Sequence, residues 1–304
     1  MHEIKPKRIL AVLAHPDDEA FGMGGTLALY ARKNVEVYLA CATLGEAGDI
    51  PAEMLKGFES PAALRESELN CSAETLGLKK VFKLGFRDSG MAGSADNQNP
   101  NALIARPMEE VVERIAGVMH ELRPQVVITF DPVGGYFHPD HIRTHQATVL
   151  AFHRVREELK GSDPQALARL YYHTMPKGSA KLAVFFIRLQ GKNPHKVGRN
   201  GDIDLAQIAS ENFPVHIKID YRSVLKEHDQ AAACHASQGG GLKPFGLSPR
   251  VIRLFNKPVD RFMQGYPEPE PNHRVKNDLF WGIDAIFAQL QVILFTAHRA
   301  IAVD

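Results

Sequence analysis

Two short segments hold the residue types from which a catalytic metal site is built. Ala14-His15-Pro16-Asp17-Asp18-Glu19 offers one imidazole and three carboxylates in consecutive reach, and His138-Pro139-Asp140-His141 offers two imidazoles around a carboxylate. Imidazole nitrogen and carboxylate oxygen suit zinc, and a catalytic zinc needs only three protein ligands, the fourth position being kept for water. Water in that position is acidified to a pKa of about 7, and a carboxylate outside the ligand set can accept its proton during attack on a carbonyl. Taken singly, a His-Pro dipeptide is a loop turn and a His-x-x-His is a helix cap. The chemistry requires the two segments to meet.

The elements around them predict that they do. Arg8 to Ala14, Val35 to Ala40, Val81 to Leu84 and Gln125 to Phe130 read as buried strands. Gly25 to Lys33, Ser60 to Leu76, Met108 to Leu122 and a helix opening at Pro139 read as the helices between and after them. Ser60 is placed as N-cap with Pro61 at the first helical position and Gly77 as the stop. Regular strand and helix alternation implies an α/β, Rossmann-like architecture, a mostly parallel sheet with helices on both faces. In the common doubly wound order the first and fourth strands are neighbours at the switch point, where clefts open at the carboxyl ends of strands. That juxtaposes His15 to Glu19 with Asp131 to His141. If Pro139 opens its helix, His138 is the cap and His141 lies one turn inside, so one ring can bind metal while the other reaches substrate.

Later strands are expected at Leu170 to Thr174 and Pro214 to Ile219, with a loop-rich insertion at Gly191 to Asp204 and a helix at Tyr221 to His235. Gly239-Gly240-Gly241, followed by a Pro-rich stretch, suggests a core over 1–240 and an extension over 241–304 that packs on it or forms a lid.

With these residues in place, the sequence resembles the LmbE-like (PIG-L) deacetylase family. The likeness rests on His15-Pro16-Asp17-Asp18-Glu19 and His138-Pro139-Asp140-His141. It extends through Gly45-Glu46, Arg65 and Glu68, and His235-Ala236-Ser237-Gln238. Gly85-Phe86-Arg87-Asp88-Ser89-Gly90-Met91 is most similar to the mycothiol-pathway branch of deacetylases and amidases. The resemblance implies one Zn2+ per chain, held by His15, Asp18 and His141, with Asp17 as general base. It implies His138, protonated, as the group that stabilises the oxyanion or donates a proton, and Asp140 as the carboxylate orienting it. Glu46, Arg65 and Asp88 are implied as substrate contacts, and the substrate as a small-molecule N-acetylglucosamine-type conjugate losing its acetyl group. An amidase cleaving a larger acyl group is the neighbouring alternative, and a non-catalytic metal- or sugar-binding protein on the same scaffold the more distant one.

Several residues also have plainer readings. Arg65 and Glu68 have the spacing of a helix-surface ion pair, Asp88 sits in a Gly-bounded turn, and His235 favours a helix C-terminus. His145 is a fourth imidazole within reach of the second segment, explained by packing. Gly22-Met23-Gly24-Gly25 fails as a dinucleotide fingerprint because Leu27 takes the third glycine's place and no acidic residue ends the second strand. Those glycines are expected to let the chain turn under the metal loop.

Composition sets the outer bounds. The 304 residues carry 36 basic and 35 acidic side chains, so no global field recruits nucleic acid or an anionic membrane. Homo-oligomer formation is left open. Cys41, Cys71 and Cys234 are scattered and odd in number, which predicts no disulfide framework and a reducing, cytoplasmic setting. Ile9 to Ala14 is too short for a signal-peptide core. Leu279 to Thr296 is apolar but carries Asp284, Gln289 and Gln291, which favours a buried helix over a membrane span.

Overall fold

The computed structural model describes residues 6–174, 177–197, 201, 203–240, 257–271 and 273–283. The chain runs β1 (Arg8–Leu13), α1 (Asp18–Arg32), β2 (Glu36–Cys41), α2 (Pro61–Leu76), β3 (Lys80–Lys83), α3 (Met108–Leu122) and β4 (Val126–Phe130). It continues with the single turn α4 (Gly134–Phe137), α5 (Pro139–Leu159), β5 (Arg169–His173), α6 (Lys177–Leu189), α7 (Leu205–Ser210), β6 (Ile217–Asp220), α8 (Leu225–Cys234) and β7 (Val259–Tyr266).

The strands form one sheet of seven in the order β3-β2-β1-β4-β5-β7-β6. All pairings are parallel except those of β7, which runs antiparallel to both β5 and β6. β1 sits beside β4 in the register Ile9↔Val126, Leu10↔Val127, Ala11↔Ile128, so the loops that follow these strands emerge side by side. The pleat explains why β1 is apolar at every position: Ile9, Ala11 and Leu13 join the core that contains Leu27 of α1, while Leu10 and Val12 join the one that contains Ile115 and Phe152 of α3 and α5.

α2 begins and ends as its sequence requires. Ser60 Oγ accepts from Ala63 N at 3.1 Å, Pro61 opens the helix, and Gly77 closes it with φ of 73°. α1 starts at Asp18, well before the expected Gly25, and continues through a kink at Met23. Its glycines are therefore helical and do not make a turn. Gly25 has a packing reason instead, because a Cβ there would meet the Tyr221 ring at 2.1 Å.

The segment beyond Gly240, expected to pack on the core or form a lid, supplies one of the strands of the sheet. β7 inserts between β5 and β6, and the buried Asp260 in it accepts from Thr26 N at 3.0 Å and from Thr26 Oγ1 at 2.5 Å, tying the strand to α1. Leu279, Phe280 and Ile283 are buried. Of the helix expected over Leu279 to Thr296, residues 279–282 form a turn and those beyond Ile283 lie outside the described residues, as do Gly241, Pro244 and Pro249. Among the described residues no helix is long and apolar enough to cross a membrane.

The cysteines correct the sequence reading. Cys71 of α2 and Cys234 of α8 form a disulfide with a Cα–Cα distance of 5.8 Å, and Cys41 stays free and buried. An odd, scattered set argues against a framework, but not against one bridge between helices that the fold packs together. The bridged residues are 163 apart in sequence, and closing such a loop in the unfolded chain is worth about 2–4 kcal/mol. Replacing both cysteines by serine is expected to lower the urea midpoint and, because the released unfolded chain exposes more surface, to steepen the slope. A variant that unfolds at the wild-type midpoint would show that the bridge contributes nothing.

Candidate metal centre

His15 follows β1 and Asp18 opens α1, while His141 lies one turn into α5, which starts just beyond β4. The parallel β1–β4 pair brings them into contact. His15 Nδ1 is 3.1 Å from His141 Nε2, Asp18 Oδ1 is 3.3 Å from His141 Nε2, and Asp18 Oδ2 is 3.7 Å from His15 Nδ1. Tetrahedral zinc with bonds of about 2.0–2.1 Å places its donors about 3.3–3.4 Å apart. The two contacts of His141 Nε2 lie near that spacing, and the His15–Asp18 contact, made through the other carboxylate oxygen, is a few tenths of an ångström wider.

The hydrogen bonds behind the rings agree with it. His141 Nδ1 meets the Gly134 carbonyl at 3.1 Å and donates to it, which leaves Nε2 with its lone pair toward His15 and Asp18. His15 Nε2 meets Asp140 Oδ2 at 3.2 Å and Asp88 Oδ1 at 3.4 Å, so the neutral form of the ring keeps its proton on Nε2 and offers its lone pair at Nδ1. Phe130 stacks on His141 with centroids 4.0 Å apart. Gly134, with φ of 66°, is required because a Cβ there would lie 2.6 Å from His141 Cβ.

Two other groupings bring ligand atoms within 4.8 Å of one another, His15 with His138 and His141, and His15 with Asp88 and Asp140. Both are less suited to a metal. His138 Nδ1 already accepts from Asp140 N at 3.2 Å, and the two carboxylates sit on the nitrogen of His15 that faces away from His141. Asp140 also accepts from Ser89 N at 2.9 Å, while its Oδ1 is buried without a hydrogen-bond partner.

Electrostatically the centre is an acidic nest. Burial would lower the His15 pKa, but Asp88, Asp140 and Asp18 outweigh it and hold the ring well above its usual value. Burial pushes Asp18 up to about 7, against the pull of His15 and with the repulsion of Asp17. Asp88 is buried as well, yet His15 and the Gly90 N–H hold it below the usual carboxylate range. Burial and then the His15 charge push His138 down to about 3. Because its Nδ1 accepts from Asp140 N, its proton is on Nε2. Asp140 itself orients His15, not His138 as the sequence reading had it.

Residues 10–152 match the family described as PIG-L, GlcNAc-PI de-N-acetylase. A protein of Acidothermus cellulolyticus named 1D-myo-inositol 2-acetamido-2-deoxy-alpha-D-glucopyranoside deacetylase is 32% identical over 293 residues, covering 93% of this chain and 97% of that one. The chain belongs to the PIG-L family of LmbE-like deacetylases. Solved structures share the fold. N,N'-diacetylchitobiose deacetylase from Pyrococcus horikoshii superposes with a TM-score of 0.51 at 22% identity over 85% of this chain and 83% of that one. GalB, the 4-carboxy-2-hydroxymuconate hydratase from Pseudomonas putida KT2440, does so with a TM-score of 0.55 at 18% identity over 88% and 100%. A deacetylase and a hydratase on one scaffold leave the chemistry to be argued from the side chains.

In this PIG-L chain Asp17 turns its carboxylate to Arg65. It has φ of 114°, costly for a residue with a Cβ, and the neighbouring groups that hold it there are specific. Arg65 Nη2 donates to Asp17 Oδ2 at 2.8 Å and to the Pro16 carbonyl, and Asp17 N donates to Glu19 Oε2 at 3.0 Å. Burial raises the Asp17 pKa and the Arg65 charge opposes it. Arg65, expected at the sugar, is 3% exposed and faces Asp17. A Cβ on Gly45 would lie 2.1 Å from its Nη1, so only glycine admits that approach. Nor does Arg65 pair with Glu68, which accepts from Ser237 N at 2.8 Å and from Ser237 Oγ at 2.6 Å. Asp88 accepts from Gly90 N and Ala47 N, and Glu46 accepts from Asp88 N at 2.9 Å.

Three residues gain roles that the sequence did not announce. Glu19 is fully buried and receives His235 Nε2 at 2.6 Å, which makes His235 a support for the Asp17 loop and explains its place in the motif. Tyr136 lies edge-on to both His138 and His141 and places its hydroxyl 3.5 Å from His141 Nε2. The fourth imidazole, His145, bonds the Phe130 carbonyl at 2.8 Å and packs on Tyr172, as its packing explanation requires.

Proposed function

We propose that this chain is a zinc hydrolase that removes the acetyl group from an N-acetylglucosaminyl conjugate. His15, Asp18 and His141 hold the metal in this reading. The observation that carries it is the convergence of two imidazole lone pairs and one carboxylate near tetrahedral spacing, with the Asp17 carboxylate beside them and outside the set.

Zinc chemistry at such a centre is the acidification of water and the polarisation of a carbonyl. Asp17 accepts the proton from the attacking water, since its carboxylate is fixed by Arg65 and by the Glu19 contact to its backbone. His138 presents Nε2–H toward the oxygen on which charge develops, a donor type worth about 3–4 kcal/mol in the transition state. Asp140 and Asp88 keep His15 in the tautomer that offers Nδ1. Glu46 and Asp88 form the rim nearest the sugar.

The Acidothermus relative's name supplies the first substrate to try, and the reading extends to a small amino-sugar conjugate handled in the cytoplasm. The Cys71–Cys234 bridge argues against a reducing setting, and thiol alkylation of protein taken directly from cells decides: free thiols keep the cytoplasmic reading and an intact bridge overturns it. The activity is tested by acetate release from 1D-myo-inositol 2-acetamido-2-deoxy-alpha-D-glucopyranoside with zinc-reconstituted protein. Acetate release abolished by a chelator and restored by zinc is the expected result. Cleavage of larger N-acyl groups without acetate release would replace the deacetylase reading with an amidase.

A further inference from the structure

Beside the metal centre, at the carboxyl ends of β2 and β3, lies a cavity of about 420 Å³. Lys83, Arg87, Arg106 and Arg114 line it together with Asn101, and the one acidic lining residue is Glu46. Four cations around one space are costly unless something offsets them. The acids that pair with them, Glu66, Asp96 and Glu110, stand outside the lining, and Glu110 serves both Arg106 and Arg114, each at 2.7 Å. These pairs are partly exposed and therefore weak, so an anion in the cavity can compete for the same donors. Glu46 is engaged by the Asp88 N–H.

The donors are also preorganised. The Arg114 guanidinium lies 4.2 Å from the Phe86 ring centroid, and Gly85, at φ of 73°, leaves room beside it. Arg87 Nε is buried with no hydrogen-bond partner. Planar guanidinium groups match the oxygens of phosphate and carboxylate. The wall is shared with the metal centre, because Glu46 holds Asp88 N at 2.9 Å and the Asp88 carboxylate is 3.4 Å from His15 Nε2.

We propose that this cavity is an anion-binding subsite for a phosphate or carboxylate group, carried by the aglycone of the conjugate or free in solution. The aglycone source rests on the deacetylase reading above; binding of a free anion does not.

Two measurements on the zinc-loaded protein test it. The first is calorimetric titration with inorganic phosphate. Wild type is expected to bind saturably, and Lys83→Gln/Arg106→Gln to bind at least about tenfold more weakly, the scale of a lost charge-assisted hydrogen bond. Arg106→Lys, which keeps the charge but loses the planar fork, is expected to bind between wild type and the double variant and guards against a folding artefact. The second compares kcat/KM for two N-acetylglucosamine conjugates differing only in a neutral or phosphorylated aglycone. A preference of about tenfold for the phosphorylated one, lost in the double variant while the neutral substrate is unchanged, supports the aglycone as source. Phosphate binding that weakens in the variant without any substrate preference supports the free anion. If neither conjugate is hydrolysed but phosphate binding is still weakened by the double variant, the deacetylase reading fails and the subsite stands. Phosphate binding that is absent, or equal in wild type and the double variant, overturns the subsite.

Discussion

Asp17→Asn is expected to yield a fully metallated protein whose turnover falls about 10²- to 10⁴-fold, the range that a positioned general base contributes. The substitution keeps the side-chain shape and an oxygen to accept from Arg65 Nη2, which sits 2.8 Å from Asp17 Oδ2 in the native site. It also suits the backbone, since asparagine tolerates positive φ better than most residues and Asp17 has φ of 114°. What it removes is the capacity to take a proton. Metal stoichiometry and single-turnover rates at saturating substrate separate the possibilities: a metal-free variant would put Asp17 in the ligand set, and an unchanged rate would remove it from the mechanism.

The meeting of the two motifs was legible because it depends on local signals. Apolar runs of strand length, the Ser60-Pro61 start, the Gly77 stop and Pro139 at the head of α5 each act over a few residues, and the doubly wound order then makes β1 and β4 neighbours. What stayed hidden depends on contacts between distant segments. Arg65 reads as a surface residue until Gly45 is seen to give it room, and Glu19 has no partner until the end of α8 delivers His235. Resemblance made Asp140 the orienting carboxylate of His138, whereas its Oδ2 lies 3.2 Å from His15 Nε2. Only the approach of β1 shows that its carboxylate faces His15. β7 escaped notice because it follows a stretch rich in glycine and proline, where local propensity argues against a strand and pairing with β5 and β6 overrides it.

Asp18→Ala separates the ligand assignments, because all three candidate groupings contain His15 but only one contains Asp18. If His15, Asp18 and His141 hold the metal, losing one of three donors should weaken zinc by more than the 10- to 100-fold typical of losing a group that only orients a ligand. The purified variant then carries well under one zinc per chain, and activity returns only in part at high zinc. The effect should exceed that of Asp140→Asn, which leaves the donors in place and disturbs only the partner of His15 Nε2. A metal held by His15, His138 and His141 gives the opposite pattern. Asp18→Ala would then keep its zinc and His138→Ala would lose it, whereas the geometry here leaves His138 outside the set and predicts that His138→Ala retains the metal while its turnover falls. Measuring zinc affinity by competition with a chromogenic chelator for Asp18→Ala, His138→Ala and Asp140→Asn decides between these arrangements without recourse to any substrate.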